Sequence, residues 1–117
     1  MSNRIHVIGN MITFPNGRSQ VYQFEIEEYV IIDNLIFILF GMPVDFIYNR
    51  NVVSFNFDGE KIWQIEECQC EGGGFNCRYS GIFSEENSNK LRLYNTSGFS
   101  LLVDPYSGEI LEREFTK

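Results

Sequence analysis

The side chains best suited to chemistry are the thiols of Cys68-Gln69-Cys70 and, after a run of three glycines, Cys77. Thiolates bind zinc well, but a closed structural site takes four ligands, with paired cysteines commonly separated by two residues or more. Here one residue separates the first pair, and the sole histidine, His6, would have to come from the far end of the chain. No metal site is therefore expected, although free, paired and metal-bound thiols all remain open. His6 would also have to serve any Ser-His-Asp or Cys-His arrangement. Its strand-like setting, Ile5-His6-Val7-Ile8, places it on a sheet surface instead. Gly72-Gly73-Gly74 is followed neither by a helical pattern nor by Gly-Lys-Ser/Thr, so it builds no phosphate-binding loop.

Carboxylates are abundant, but their spacing points to solvent rather than to acid–base work. Glu25 and Glu27, Glu66 and Glu67, and Glu112 and Glu114 fall at alternating or terminal strand positions, where the wet face of a sheet explains them. Asp104, Ser107 and Glu109 offer oxygens without the ligand series of an EF-hand loop and read as a turn. Asn95-Thr96-Ser97 is a formal glycosylation sequon, which is expected to carry no meaning because no export signal is expected. No catalytic, cofactor-binding or metal-binding residue is assigned, and the expectation is a protein that is not an enzyme and carries no cofactor.

The elements that must position these residues are strands. Apolar Tyr22, Phe24 and Ile26 alternate with Gln23, Glu25 and Glu27, so Gln20–Glu27 reads as one strand with a buried and a wet face. Val53, Phe55 and Phe57 share a face opposite Ser54 and Asn56, and Asp58-Gly59 then turns the chain as a two-residue hairpin into Lys61–Glu66. Tyr29–Ile32 and Leu35–Phe40 flank Asp33-Asn34 and are predicted to be adjacent buried strands. Leu91–Tyr94, Phe99–Val103 and Ile110–Phe115 complete the set, with Gly41–Asn51, Glu71–Cys77 and Ser84–Asn89 as loops. Alternation places Trp63 on one face with Lys61 and Ile65, and it is expected to pack in the core.

With 117 residues and 44% hydrophobic content, the chain is expected to fold as a single domain, residues 1–117, without obligatory disulfides. A formal charge of -7 argues against a nucleic-acid surface, which needs clustered cations, and favours a basic partner if there is one. The longest apolar stretch, Tyr29 to Phe40, is shorter than the roughly 20 residues of a membrane-spanning helix, so no membrane association is expected. The N-terminus lacks a cationic start followed by an apolar run, and the expected location is cytoplasmic.

A weak internal repeat runs through the pattern. Leu35–Phe40, Val52–Phe57, Asp58-Gly59-Glu60 and Lys61–Ile65 correspond in order to Leu91–Tyr94, Phe99–Val103, Asp104–Glu109 and Ile110–Phe115. The strings Asp58-Gly59-Glu60-Lys61-Ile62-Trp63 and Asp104-Pro105-Tyr106-Ser107-Gly108-Glu109-Ile110-Leu111 resemble the outer hairpins of blades in quinoprotein-type (PQQ-like) β-propellers. More loosely, Asn51 through Glu66 resembles a segment of small orphan bacterial proteins. Two blades cannot close a ring. The resemblance together with the strand pattern implies an all-β fold: antiparallel meanders forming two blade-like sheets, packed as a small sandwich or an incomplete propeller.

The Gly41–Asn51 loop is too apolar simply to meet water, so it either folds over a sheet edge or contacts a partner. The residues expected to bind a partner are Val44, Asp45, Phe46, Ile47 and Tyr48, with Glu66 and Glu67 beside them. The leading expectation is a non-catalytic acidic protein-binding domain, of the kind that inhibits a basic bacterial toxin as an immunity protein. The alternatives are a β module that forms a homo-oligomer through its sheet edges and, less favoured, a metal-binding or hydrolytic protein using the cysteines.

Overall fold

The computed structural model describes residues 5–43, 48–66, 78–84, 90–96 and 98–115. Every regular element in it is a strand, as the alternation requires. Eleven strands follow in chain order: β1 (His6–Ile8), β2 (Met11–Thr13), β3 (Ser19–Val21), β4 (Glu25–Ile32), β5 (Leu35–Gly41), β6 (Val52–Asn56), β7 (Lys61–Gln64), β8 (Tyr79–Ser84), β9 (Leu91–Asn95), β10 (Phe99–Val103) and β11 (Ile110–Phe115). They form three antiparallel sheets, β1-β2-β3, β4-β5-β6-β7 and β8-β9-β10-β11, each with its strands in chain order. Two of them are meanders of the kind expected from the pattern, although β8 is a strand that the pattern did not predict. The third, at the N-terminus, contains the strand-like His6–Ile8 but was not expected as a sheet, because its strands are only three residues long.

The middle sheet lies between the other two, and β5 shows why. Ile36, Ile38 and Phe40 point to one apolar cluster, with Val53 and Phe55 of β6 and with Ile12 and Phe14 of the N-terminal part. Phe37 and Leu39 point to the opposite cluster, with Val52, Trp63 and Ile65 and with Tyr79, Ile82, Leu91, Leu93, Leu101 and Val103 of the C-terminal sheet. A strand buried on both faces needs a continuous apolar run rather than an alternating one, and Leu35-Ile36-Phe37-Ile38-Leu39-Phe40 supplies it. Aromatic edges add to the packing, with Tyr22 5.3 Å from Phe40 and Phe37 5.7 Å from Trp63, ring centre to ring centre.

Three local expectations are corrected. Gln20–Glu27 is not one strand, because the chain leaves the N-terminal sheet after Val21 and enters the middle sheet at Glu25. Tyr22, Phe24 and Ile26 nevertheless turn to the same apolar cluster, so the alternation survives the change of sheet. The hairpin after β6 is wider than two residues. Gly59 donates to the Asn56 carbonyl and Asn56 to the Glu60 carbonyl, enclosing Phe57-Asp58-Gly59 with Gly59 at φ 87°. The Asn56 carboxamide oxygen fixes this loop by accepting from the amides of Asp58 and Glu60. Finally, Tyr29–Ile32 is not a buried strand. β4 stands at the sheet edge, hydrogen-bonded within its sheet to β5 alone, and Tyr29 and Ile31 are 40% and 41% exposed. The turn predicted at Asp33-Asn34 is present, with Asp33 in the left-handed region at φ 54° and Ile32 paired to Leu35.

Candidate functional site

At the end of the molecule where the Gly41–Asn51 loop lies, buried polar groups join the middle and C-terminal sheets. Asn51, almost fully buried, donates from Nδ2 to the carbonyls of Phe40 (2.9 Å) and Tyr79 (2.8 Å), and its Oδ1 accepts from the Tyr79 amide (2.9 Å). Arg50 donates from Nε to the Ile65 carbonyl, and Arg78 donates from Nη1 to the carbonyls of Met42 and Pro43. The loop ends are therefore held by charged and amide donors whose partners are backbone oxygens.

Of the seven residues expected to bind a partner, Val44, Asp45, Phe46, Ile47 and Glu67 lie outside the described residues, as do Cys68, Cys70 and Cys77. Tyr48 is half-buried; its ring stacks on Phe24 at 6.1 Å and its hydroxyl accepts a hydrogen bond from Gln64 Nε2. Glu66 is exposed, and its backbone carbonyl accepts from the Tyr79 hydroxyl. The described end of the loop thus packs against the entry to β4. His6 is exposed on β1, and among the described residues no group of three or more His, Cys, Asp or Glu side chains could hold a metal ion.

Beside this loop end, β4 carries a surface whose glutamates, from their spacing alone, suit simple wetting. Its pairing with β5 slips between Ile26, opposite Phe40, and Glu28, opposite Leu39. Glu27 is the extra residue of this bulge, which re-aims side chains that regular alternation would send to opposite faces. Glu25, Glu27, Glu28 and Tyr29 are all exposed, with Ile31 further along; Glu28 lies on the face of its partner Leu39, and Tyr29 and Ile31 lie on the opposite face with Ile38 and Ile36. At the far end of the strand the Tyr106 hydroxyl donates to Asp33, and that bond, together with loss of water and the nearby Asp33 and Asp104 charges, raises the tyrosine's pKa.

A cleft of about 470 Å³ opens at the loop end of β4, with Glu25 and Glu27 on one side and Phe24, Ile26, Met42 and Pro43 supplying apolar wall. Glu27 also borders a second cleft of about 260 Å³ that reaches Arg78 and Tyr79. Among the described residues no side-chain hydrogen bond or ion pair holds the Glu25 or Glu27 carboxylate. The only hint of this surface in the sequence is Glu25-Ile26-Glu27-Glu28, where a doubled glutamate breaks the alternation.

Fold and surface together define an all-β protein of three antiparallel sheets with an acidic, partly apolar edge strand. The chain belongs to the family described as Domain of unknown function (DUF7957), whose model matches residues 2–115. No curated protein and no solved structure matches it.

Proposed function

We propose that this protein is a non-catalytic binding domain that holds a basic protein partner, in the manner of an immunity protein neutralising a cationic bacterial toxin. The observation that carries the reading is the exposed run of the β4 edge strand, where Glu25, Glu27 and Glu28 precede Tyr29 and Ile31, the last two on the other face of the sheet from Glu28. Carboxylates beside an aromatic and aliphatic centre are the anatomy of a steered interface: charge accelerates encounter, and the apolar centre keeps the partner bound. A net charge of -7 extends the attraction beyond the strand itself. The experiment is co-expression with a basic toxin encoded beside this protein's gene. Wild type should rescue growth, and Tyr29→Ala should weaken binding of the purified toxin by about ten- to a hundredfold, as loss of a central aromatic contact does. Absence of rescue together with absence of binding removes the proposal.

A second reading, a self-associating β module, rests on β11. Among the described strands β11 pairs with β10 alone, and it ends in Phe115, 53% exposed and 5.2 Å from Phe99. It ranks second because Glu112, Arg113 and Glu114 line that edge, and charged residues there discourage strand-to-strand pairing. Light scattering across a concentration series decides it: a monomer throughout eliminates self-association.

A further inference from the structure

We infer that Asn16 is a modification site, where the folded chain exchanges its side-chain amide for a carboxylate by reaction with water, and that the fold spares the comparable Asp58-Gly59. An asparagine or aspartate followed by glycine is prone to cyclise, because a glycine amide nitrogen carries no side chain to obstruct its approach to the preceding carboxamide or carboxyl carbon. The sequence holds one pair of each kind, Asn16-Gly17 and Asp58-Gly59, and the structure sets them side by side, with Asn16 Nδ2 3.5 Å from Asp58 Oδ1. By sequence both are reactive; their surroundings separate them.

Water is the only reactant the step needs. The Gly17 nitrogen gives its proton to hydroxide and bonds to Asn16 Cγ; the Cγ–Nδ2 bond breaks, and the departing nitrogen takes a proton from water, leaving as ammonia and returning the hydroxide. A second water opens the cyclic imide at either carbonyl, giving aspartate or isoaspartate. Three observations favour this at Asn16. First, the Arg18 amide donates to Asn16 Oδ1 at 2.9 Å, the oxygen that gains negative charge when Cγ is attacked, which is the placement of an oxyanion donor. Second, residues 16–20 are all exposed, and no atom comes within 4 Å of where a Gly17 Cβ would stand, so the hydrogen bond from the Gly17 amide to the Phe14 carbonyl can open without disturbing the core. Third, a cleft of about 150 Å³, bordered by Arg18 and Ser19 on one side and Asp58 and Glu60 on the other, admits the water that opens the imide.

Asp58-Gly59 has the opposite setting. The Asn56 carboxamide staples its turn, with Oδ1 accepting from the amides of Asp58 and Glu60 and Nδ2 donating to the Glu60 carboxylate. The Gly59 amide donates to the Asn56 carbonyl, and a Cβ at Gly59 would stand 3.0 Å from the Phe14 ring. Closing an imide there requires these contacts to break together. At Asn16 the product adds a carboxylate to a chain already at -7 and replaces a donor facing Asp58 with a second anion.

The test follows the whole protein in mildly alkaline buffer by peptide mapping with mass spectrometry, with and without denaturing guanidinium chloride. Folding should slow isoaspartate formation at Asp58 by at least about tenfold, and conversion of Asn16 by less than about threefold. On native isoelectric focusing the folded wild type should acquire an acidic form. Asn16→Gln, whose longer side chain cyclises far more slowly, should not acquire it, whereas Asn34→Gln at another exposed turn should do so at the wild-type rate. Trp63 fluorescence confirms that both variants remain folded. Equal protection of the two sites, reaction at Asp58 ahead of Asn16 in the folded chain, or an acidic form undiminished in Asn16→Gln overturns the assignment.

Discussion

Single polar atoms in dry surroundings set the energetics at the residue scale. Asn51 satisfies two carbonyls and one amide across the two sheets, and Asn51→Ala would leave the Phe40 and Tyr79 groups without these partners. Each buried group left unpaired costs about 1–3 kcal/mol, so a loss of about 2–4 kcal/mol is expected in urea unfolding followed by Trp63 fluorescence. Ser54 is the opposite case, fully buried with an Oγ that has no hydrogen-bond partner among the described residues. Removing that hydroxyl frees the core of a dehydrated polar atom, and Ser54→Ala should lie within about 0.5 kcal/mol of wild type or above it. Tyr22 extends the logic to pH. Its hydroxyl is also buried without a partner among the described residues, and desolvation pushes its pKa from 10.0 to about 12. Between those values the unfolded chain gives up the proton before the folded one does, so the contribution is whole below pH 10 and declines as pH rises toward 12. Urea midpoints measured from about pH 9 to 12 should fall less steeply for Tyr22→Phe than for wild type; parallel profiles would count against this assignment.

Among the elements, β5 and β4 differ in a way that tests what their sequences can reveal. β5 reads as an unbroken apolar run and is buried on both faces, so Phe37→Ala should cost about 3–5 kcal/mol. Ile31 of β4 belongs to an equally apolar-looking run, yet as a half-exposed edge residue it should cost under about 1.5 kcal/mol when truncated to alanine. Comparable losses at the two positions, again by urea unfolding, would contradict the edge placement of β4. The contrast also shows where sequence reasoning stops. β10 and β11 were legible to the residue, because turn residues bracket Phe99–Val103 and Ile110–Phe115, and the Asp33-Asn34 hairpin was legible from residues that tolerate a left-handed backbone. Which of two apolar strands stands at an edge depends on sheet order, which local pattern does not encode. The passage from β3 to β4 was hidden for a related reason: Tyr22, Phe24 and Ile26 keep their alternation because both sheets cover the same cluster. The Glu27 bulge, and with it the candidate site, looked like ordinary wetting because solvent and a cationic partner both favour carboxylates.

On the scale of the whole molecule, the shared middle sheet makes the two apolar clusters interdependent. One face of β5 and β6 is covered by the N-terminal sheet and the other by the C-terminal sheet, so neither outer layer can leave without exposing side chains of the same two strands. Cooperative unfolding in one transition is expected, since partial opening would wet a large apolar area at about 25 cal/mol per Å². Trp63 reports the C-terminal cluster; placing a second reporter in the other cluster, as Phe14→Trp in a Trp63→Phe background, allows the two faces to be followed separately. Their urea transitions should each coincide with that of far-ultraviolet dichroism in the same protein. A Phe14→Trp transition clearly ahead of its own dichroism would mean that the N-terminal sheet is a detachable cover. In that case the two meanders, and not the three sheets, would be the cooperative unit. Coincidence would instead mean that β4 is held in place from both sides, because its entry is tied to the Gly9 turn through Ile26 while Val30 and Ile32 pack in the opposite cluster. A binding edge anchored in this way keeps its shape when a partner arrives, which is what its carboxylates and Tyr29 require in order to act together.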